Sequence, residues 1–403
     1  MSEVRHCFKI QPPNSYKNIL KFQYIKISTL AMIAWSYPDI GEVEHQKIME
    51  VIKSGWLSQG SITKQFEDAL RETIGVNHAI VVNSGTSALI AALLAHEIGQ
   101  RDEVIVPTYT FAATCNAVLS VGAKPVFADC DPHTFNVSQE TIRKVITSKT
   151  KACLIVDVGG MPCDLDGIKK LLEKNNIILI EDAAQAFGAM YKDKRIGSFD
   201  HTTIFSFHMA KIITTVEGGC VVTNDDELAN KLRLIRNHGM TRPYEHVNYG
   251  LNFRITDIQS AIGLAQLGKL SSFLKRRATI SEIYKKNLKS VVDFQFVPDY
   301  VTLHPYFLFF ILARTEAQRE LIEAEFLRSR IDFRRCWKPL HLQPYYQKNV
   351  NSVHYPSAED LYKRSLTLPI GNAMSLENAN LVIDAVLRAC LERDKVWETA
   401  LGG

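Results

Sequence analysis

The segment with the most chemistry to offer is Ile204-Phe205-Ser206-Phe207-His208-Met209-Ala210-Lys211, followed by Ile212-Ile213-Thr214-Thr215-Val216-Glu217-Gly218-Gly219. An apolar strand pattern ends, a turn follows, and Lys211 stands between apolar neighbours. A lysine held in such surroundings loses its proton more readily, and its neutral amine can attack a carbonyl. A lone lysine reaching out to solvent fits the same residues. In Ile180-Glu181-Asp182-Ala183-Ala184-Gln185, two carboxylates stand at the carboxyl end of another apolar run. Open α/β sheets bind ligands there, and an aspartate could keep a pyridine nitrogen protonated; Asp182 could equally be a helix N-cap. In Val82-Asn83-Ser84-Gly85-Thr86-Ser87-Ala88-Leu89, a strand ends in a turn that opens a helix. Backbone N–H groups at a helix N-terminus attract anions, and Gly85 lets a phosphate come close. Ordinary capping by Ser84 or Thr86 explains the same pattern.

These segments need a scaffold that brings strand ends together, and the hydrophobic pattern supplies one. Short apolar, β-branched runs occur at Ala79–Val82, Val104–Val106, Pro125–Ala128, Cys153–Val158, Ile177–Ile180, Thr203–Phe207 and Cys220–Thr223. Helical spacing appears at Val43–Lys53, Thr63–Ile74, Ser87–Glu97 and Leu165–Lys174. Strands alternating with helices predict an α/β fold with a largely parallel sheet covered on both faces. Beyond Asp257 the pattern turns helical through Ile258–Leu270 and Phe273–Leu288. A strand at Tyr306–Ala313 and helices at Glu316–Arg328 and Leu376–Arg393 follow. This predicts a large domain over residues 35–275 and a small α+β domain over 276–403.

Composition narrows the function. The 403 residues are 46% hydrophobic and 22% charged, with a net charge of +4. That balance, without basic runs interleaved with aromatics, argues against a nucleic-acid partner. No apolar stretch approaches the roughly 20 residues needed to span a bilayer, so no membrane segment is expected. The 8 cysteines form no close metal-type pairs, so no metal site is expected and reduced thiols in a cytoplasmic protein are. Residues 1–34 differ from the rest: between Val4 and Tyr37 there are basic residues but no acidic ones. They read as an organelle-targeting segment or, the favoured reading, as an unstructured extension upstream of a true start at Met32.

Taken together, the segments resemble the DegT/DnrJ/EryC1/StrS family of pyridoxal-phosphate sugar aminotransferases, from about Trp35 to Leu387. Ser84-Gly85-Thr86-Ser87-Ala88-Leu89 is similar to the family's phosphate turn. Pro107-Thr108-Tyr109-Thr110-Phe111-Ala112-Ala113-Thr114 is similar to the segment that stacks on the cofactor ring. Glu181-Asp182-Ala183-Ala184-Gln185 and Ser206-Phe207-His208 with Lys211 match its ring-binding and Schiff-base segments. Gly250-Leu251-Asn252-Phe253-Arg254 with Gln259 and Gly263 matches a further signature. The resemblance implies the type I fold of pyridoxal-phosphate aminotransferases, with a seven-stranded, mostly parallel sheet. It implies Lys211 as the Schiff-base lysine and Asp182 as the partner of the ring nitrogen. It also implies Gln185 at the ring hydroxyl and Phe111 on the ring face, with Gly85, Thr86 and Ser206 at the phosphate. Asn252 would complete the phosphate site of a partner subunit, so a homodimer is expected.

The implied reaction moves an amino group from an amino acid, glutamate, to a nucleotide-linked keto sugar, a 4-keto-6-deoxy hexose. Stretches similar to perosamine synthases and to aminotransferases of pseudaminic acid pathways point that way. Two enzyme alternatives are dehydratases related to the family: pyridoxamine-dependent ones, which carry histidine in place of the lysine, and aromatizing ones, which keep it. A non-catalytic cofactor-binding regulator is the alternative outside enzymology. Four departures from the pattern stand out. Val216 replaces a usual glycine, and a branched residue does not readily take positive φ, so the turn is expected to differ or not to need it. Cys220 stands where Met or Ala is common. Asp157-Val158-Gly159-Gly160-Met161-Pro162 replaces a stretch similar to VHLYGQP, which removes a histidine. The basic N-terminal segment has no family counterpart. Arg334, Arg335, Trp337 and His341 are candidates for the sugar pocket, with a packed turn as the alternative.

Overall fold

The computed structural model describes residues 33–347 and 353–401, with side chains to Leu391 in the last helix. The expectations about residues 1–31 and the start at Met32 lie outside the described residues. Helices α1 (Glu42–Ser54) and α2 (Ser61–Ile74) lead into a seven-stranded sheet. Its strands are β1 (His78–Val82), β2 (Glu103–Pro107), β3 (Lys124–Ala128), β4 (Thr150–Val156), β5 (Ile178–Asp182), β6 (Thr202–Ser206) and β7 (Gly219–Thr223). Their spatial order is β1-β7-β6-β5-β4-β2-β3. All neighbouring pairs are parallel except those of β7, which runs antiparallel to both β1 and β6. Every residue of β2, β6 and β7 is buried, as expected of strands with both faces covered.

The covering helices are α3 (Gly85–Ala95), α4 (Ala112–Ser120), α5 (Leu165–Lys174), α6 (Asp226–Arg236) and α7 (Asp257–Gly268). They follow two sequence patterns. In α5 an apolar stripe of Leu165, Ile168, Leu171 and Leu172 is buried while the lysines between them face out, and Asp164 caps the first turn. Each such side chain contributes about 1.5–3 kcal/mol when fully buried. In contrast, α3 is apolar nearly all round and buries Ala88, Leu89, Ala91, Ala92 and Leu93, as a helix enclosed by protein must.

Beyond α7 the chain builds α8 (Leu270–Leu288), β8 (Asp293–Phe294), β9 (Phe309–Leu312), α9 (Glu316–Arg328), α10 (Pro356–Arg364), β10 (Ser365–Leu368) and α11 (Leu376–Leu401). The antiparallel sheet β8-β9-β10 packs in a second buried cluster with Ile280, Tyr284, Phe326 and Val386. One helix serves both clusters: α8 gives Phe273 to the first and Ile280, Tyr284 and Leu288 to the second. Among the described residues no helix is long and apolar enough to cross a membrane. Cys115, Cys130, Cys153, Cys163, Cys220 and Cys336 are buried and unbridged.

Two expected strands are shorter than the apolar runs that suggested them. The run Cys153–Val158 leaves the sheet after Val156, where Val158–Gly160 turns with positive φ at Gly159 and Gly160. The run Tyr306–Ala313 is a strand only over Phe309–Leu312, because Tyr306 takes φ 48° and breaks the extended chain. In both, apolar residues after or before the strand are buried by loop packing, which hydrophobic pattern alone does not separate from pairing.

Candidate active site

The carboxyl ends of β1, β2, β5 and β6 open into one cavity of about 410 Å³. Its walls include Gly85, Thr86, Phe111, Asp182, Gln185, Ser206 and Lys211, seven of the eight residues the sequence nominated. Strand order reverses between β2 and β4, and open α/β sheets bind ligands at such a crevice. Asn252, the eighth, is exposed and does not line the cavity of its own chain. Its carbonyl accepts from Asn83 Nδ2 at 3.3 Å.

Each wall has a local cause. Ser84 caps α3, accepting from the Ser87 N–H at 3.0 Å, and Ser87 Oγ donates to Asn83 Oδ1 at 2.6 Å. The turn is thus fixed with the α3 N-terminus facing the cavity. A Cβ on Gly85 would lie 2.8 Å from Ser206 Cβ, so only glycine allows this approach between β1 and β6. Phe111 is the N-cap of α4 and is 60% exposed, an unusual amount for a large apolar ring next to a cavity. Gln185 is oriented by the Gly159 N–H, which donates to its Oε1 at 2.9 Å and leaves the amide N–H groups for a ligand.

Asp182 is buried. Its Oδ2 accepts from Thr114 Oγ1 at 2.8 Å and its Oδ1 from the Ala184 N–H at 3.2 Å. Burial raises its pKa, and these bonds together with the charge of Lys211 oppose the rise. Lys211 Nζ lies 4.3 Å from the centroid of the Phe307 ring and has no ion pair among the described residues. Desolvation lowers its pKa to about 8, against the pull of Asp182. This is the amine of a nucleophile and proton carrier. Arg277 fixes the ring beside it: the guanidinium donates to the carbonyl of Tyr306 at 2.9 Å and to Asn372 Oδ1 at 2.8 Å. Asn372 Nδ2 in turn donates to the Ile212 carbonyl at 2.9 Å. The loops on both sides of Lys211 are thereby tied to α8.

The expectation that the Val216 turn would avoid positive φ is wrong: Val216 takes φ 72°. Its N–H donates to Thr214 Oγ1 at 2.8 Å, the Thr215 N–H donates to the Phe207 carbonyl at 3.0 Å, and Gln259 Nε2 holds the Glu217 carbonyl at 2.8 Å. These bonds over-determine the turn, and the side chain is half exposed, so it meets no neighbour that forbids the conformation. Val216→Gly is therefore expected to raise stability by roughly 0.5–1 kcal/mol after the entropy cost of glycine is subtracted. A higher urea midpoint with an unchanged slope is the expected reading; a lower midpoint contradicts it.

Of the four nominated sugar-pocket residues, only Trp337 lines the cavity. Arg334 stacks on Trp35 and pairs with Asp332, Arg335 contacts Glu323 and stacks on Tyr362, and His341 is buried between Thr108 and Glu359. Sequence reasoning missed Trp35, Phe307, Leu308 and Cys336, which also line the cavity and pack with the first buried cluster.

The site fits pyridoxal phosphate: a helix N-terminus opened by Gly85, a buried carboxylate, and a desolvated amine with no ion-pair partner among the described residues stand around one cavity. The comparisons agree. The profile of the DegT/DnrJ/EryC1/StrS aminotransferase family matches residues 38–387. A GDP-perosamine synthase from Escherichia coli is 38% identical, covering 87% of this chain and 96% of that protein. The structure of Helicobacter pylori PseC, an aminotransferase involved in the biosynthesis of pseudoaminic acid, superposes with a TM-score of 0.83 at 32% identity. It covers 89% of this chain and 99% of that one. Spr1654 from Streptococcus pneumoniae, in its PMP form, has a TM-score of 0.86 at 28% identity, covering 90% and 99%. The fold is that of the pyridoxal-phosphate aminotransferases. The chain belongs to the DegT/DnrJ/EryC1/StrS aminotransferase family and is a pyridoxal-phosphate-dependent sugar aminotransferase.

Proposed function

We propose that the enzyme transfers the amino group of glutamate to a nucleotide-linked 4-keto-6-deoxy hexose in the cytoplasm. The observation that carries this is the shared cavity, in which Lys211, Asp182 and Gln185 stand together with the apolar and aromatic groups Trp35, Phe307, Leu308 and Trp337. Sugars pack their C–H faces on such rings, and a 6-methyl group favours them further. The relative named GDP-perosamine synthase and the neighbour involved in the biosynthesis of pseudoaminic acid support the same substrate class. The bound cofactor supplies a ring that accepts the electron pair released at the substrate carbon. Lys211 Nζ would hold the cofactor and then carry the proton to and from that carbon. Asp182 would hold the ring nitrogen, Gln185 the ring hydroxyl, and Phe111 the ring face. Gly85, Thr86 and Ser206 would hold the phosphate. Residues 35–275 form the cofactor domain in this reading and 276–403 the smaller one. Lys211, where the pyridoxamine-dependent dehydratases carry histidine, favours transfer over that dehydration. The test is incubation with glutamate and a panel of nucleotide 4-keto sugars, with mass spectrometry of the products. A sugar gaining an amine is expected; dehydrated product, or none with any donor, refutes the proposal.

The working unit in this proposal is a homodimer with Asn252 at the partner's phosphate site. Support comes from the exposure of Asn252 away from its own cavity and from exposed apolar side chains. Val43, Met49, Ile52, Trp56 and Leu57 along α1 and the following loop are 45–62% exposed, and Tyr244 and Tyr249 project from the Met240–His246 hairpin region. Large apolar side chains left exposed in this number are available to an interface. Asn252→Ala is expected to weaken cofactor retention by about 0.5–3 kcal/mol, the range of one hydrogen bond to a neutral or charged acceptor. Mixing Asn252→Ala with Lys211→Ala subunits places both lesions in one site and leaves the other intact, so part of the lost activity should return. Exchange of subunits with no recovery excludes the shared site.

A further inference from the structure

The Asp157 departure has a structural partner outside the roles described so far. Asp157 follows β4, and Glu181 is the residue before Asp182 on β5, on the opposite face of the sheet. Both carboxyls are fully buried. Asp157 Oδ1 accepts from the Cys163 N–H at 3.0 Å, and Glu181 Oε2 accepts from Thr203 Oγ1 at 2.8 Å and faces His201 Nε2 at 3.1 Å. The other oxygens, Asp157 Oδ2 and Glu181 Oε1, are buried and have no partner. Two ionised carboxylates are acceptor-only and cannot satisfy each other, and stranding both in the interior is costly. The Asp157 and Glu181 side chains lie within hydrogen-bonding reach of each other, and one proton between them removes both faults.

We infer that Asp157 and Glu181 share a single proton across the ends of β4 and β5, and that this buried bridge is a positioning element for Asp182. Backbone geometry makes the link direct. The Asp157 N–H donates to the Asp182 carbonyl at 3.2 Å, so the residue carrying the bridge also holds the residue carrying the ring-nitrogen carboxylate. Burial and the neighbouring Glu181 push the Asp157 carboxyl well above its usual range. His201 completes the arrangement from the loop before β6. Its Nδ1 is buried without a partner, so the tautomer that donates from Nε2 to Glu181 avoids an unmade buried N–H. Phe199 stacks on its ring at 5.9 Å. The other titratable groups facing the bridge are the thiols of Cys163 and Cys153, both held protonated by burial, and Asp182 through the sheet. The bridge brings a sign with it. Loss of the shared proton as pH rises leaves two like charges at the ends of two adjacent strands, so alkaline pH should loosen the strand end under Asp182.

The inference rests on the reading of Asp182 as the ring-nitrogen partner, and the experiment separates the two. The holoenzyme is examined by infrared difference spectroscopy for a protonated carboxyl that persists at neutral pH. Wild type should show its carbonyl stretch, and Asp157→Asn and Glu181→Gln should each lose it. The rate of the glutamate half-reaction is then followed by cofactor absorbance across pH. Asp157→Ala should lower the saturating rate about tenfold with little change in KM for glutamate, and Asp157→Asn, whose amide donates without a titrating proton, should restore it to within about threefold. Asp157→Asn should also lose the decline with rising pH that is expected of wild type. Absence of the band in wild type, its survival in Asp157→Asn, or a wild-type rate in Asp157→Ala each overturns the inference. A wild type that shows the band but no reaction with glutamate overturns the aminotransferase reading and leaves the bridge standing. If Asp157→Ala fails to fold, the two isosteric variants still decide.

Discussion

Lys211→Ala is expected to reduce turnover by at least about 10³-fold, because the same amine serves as cofactor anchor and proton carrier. Borohydride treatment of the wild-type holoenzyme should fix the cofactor to Lys211, and an adduct on any other lysine contradicts the assignment. The position of the amine explains why this lysine is singled out from the rest. Desolvation by Phe307 and the surrounding loops lowers its pKa from 10.5 to about 8, and Asp182 only partly offsets the shift. Near pH 8, half of the Lys211 amines are neutral, about a hundredfold more than for a lysine left at its ordinary value. Because the neutral form is the nucleophile, the rate at which apoenzyme recaptures pyridoxal phosphate should rise with pH up to about 8 and level off above it. A rate still climbing through pH 10 would show that the amine is not desolvated. Phe307→Ala should move the inflection upward by admitting water, which separates the apolar wall from the contribution of Asp182.

Much of this site is legible in the sequence. The segments around Gly85, Asp182 and Lys211 each couple a strand end to the turn after it, so chemistry and scaffold are encoded within a few residues. Parallel order then brings the ends together, and seven nominated residues do line one cavity. What was not legible depends on distant packing. Thr114, which bonds Asp182, sits on α4, a helix with too weak an apolar stripe to be read. Trp35, Phe307 and Trp337 reach the cavity from segments far along the chain, and no periodicity reports such an encounter. Arg334, Arg335 and His341 looked available because they are polar, yet each is engaged by a carboxylate. Val216 shows the reverse error: its residue type argued against positive φ, and local hydrogen bonds outweigh the preference.

Asp182→Asn is expected to lower turnover by roughly 10²- to 10⁴-fold, since the loss removes a preorganised charge at the reacting ring. The substitution keeps the shape, and the asparagine carbonyl can still accept from Thr114 or from the Ala184 N–H. A large loss would therefore report charge rather than packing. Stability should move the other way. Burial raises the Asp182 pKa above its unfolded value, so the fold favours the protonated carboxyl. The stability tied to that proton is complete below the unfolded pKa and is lost as pH rises through the folded one. Near neutral pH the ionised carboxylate is then a burden that the apoenzyme carries for function, and Asp182→Asn should leave the apoenzyme at least as stable as wild type. Cofactor binding should reverse the order, because only the carboxylate can pair with a protonated ring nitrogen. In wild type the same titration should set the acid limb of activity: as pH falls, Asp182 takes up a proton and the ion pair is lost. That limb should be absent from the residual activity of Asp182→Asn. Thr114→Val removes one of the bonds that hold the anionic form, so its acid limb should shift to higher pH with a smaller loss of turnover. Turnover near wild type in Asp182→Asn would remove this carboxylate from the reaction. An apoenzyme that unfolds far below the wild-type temperature would assign it to the fold instead.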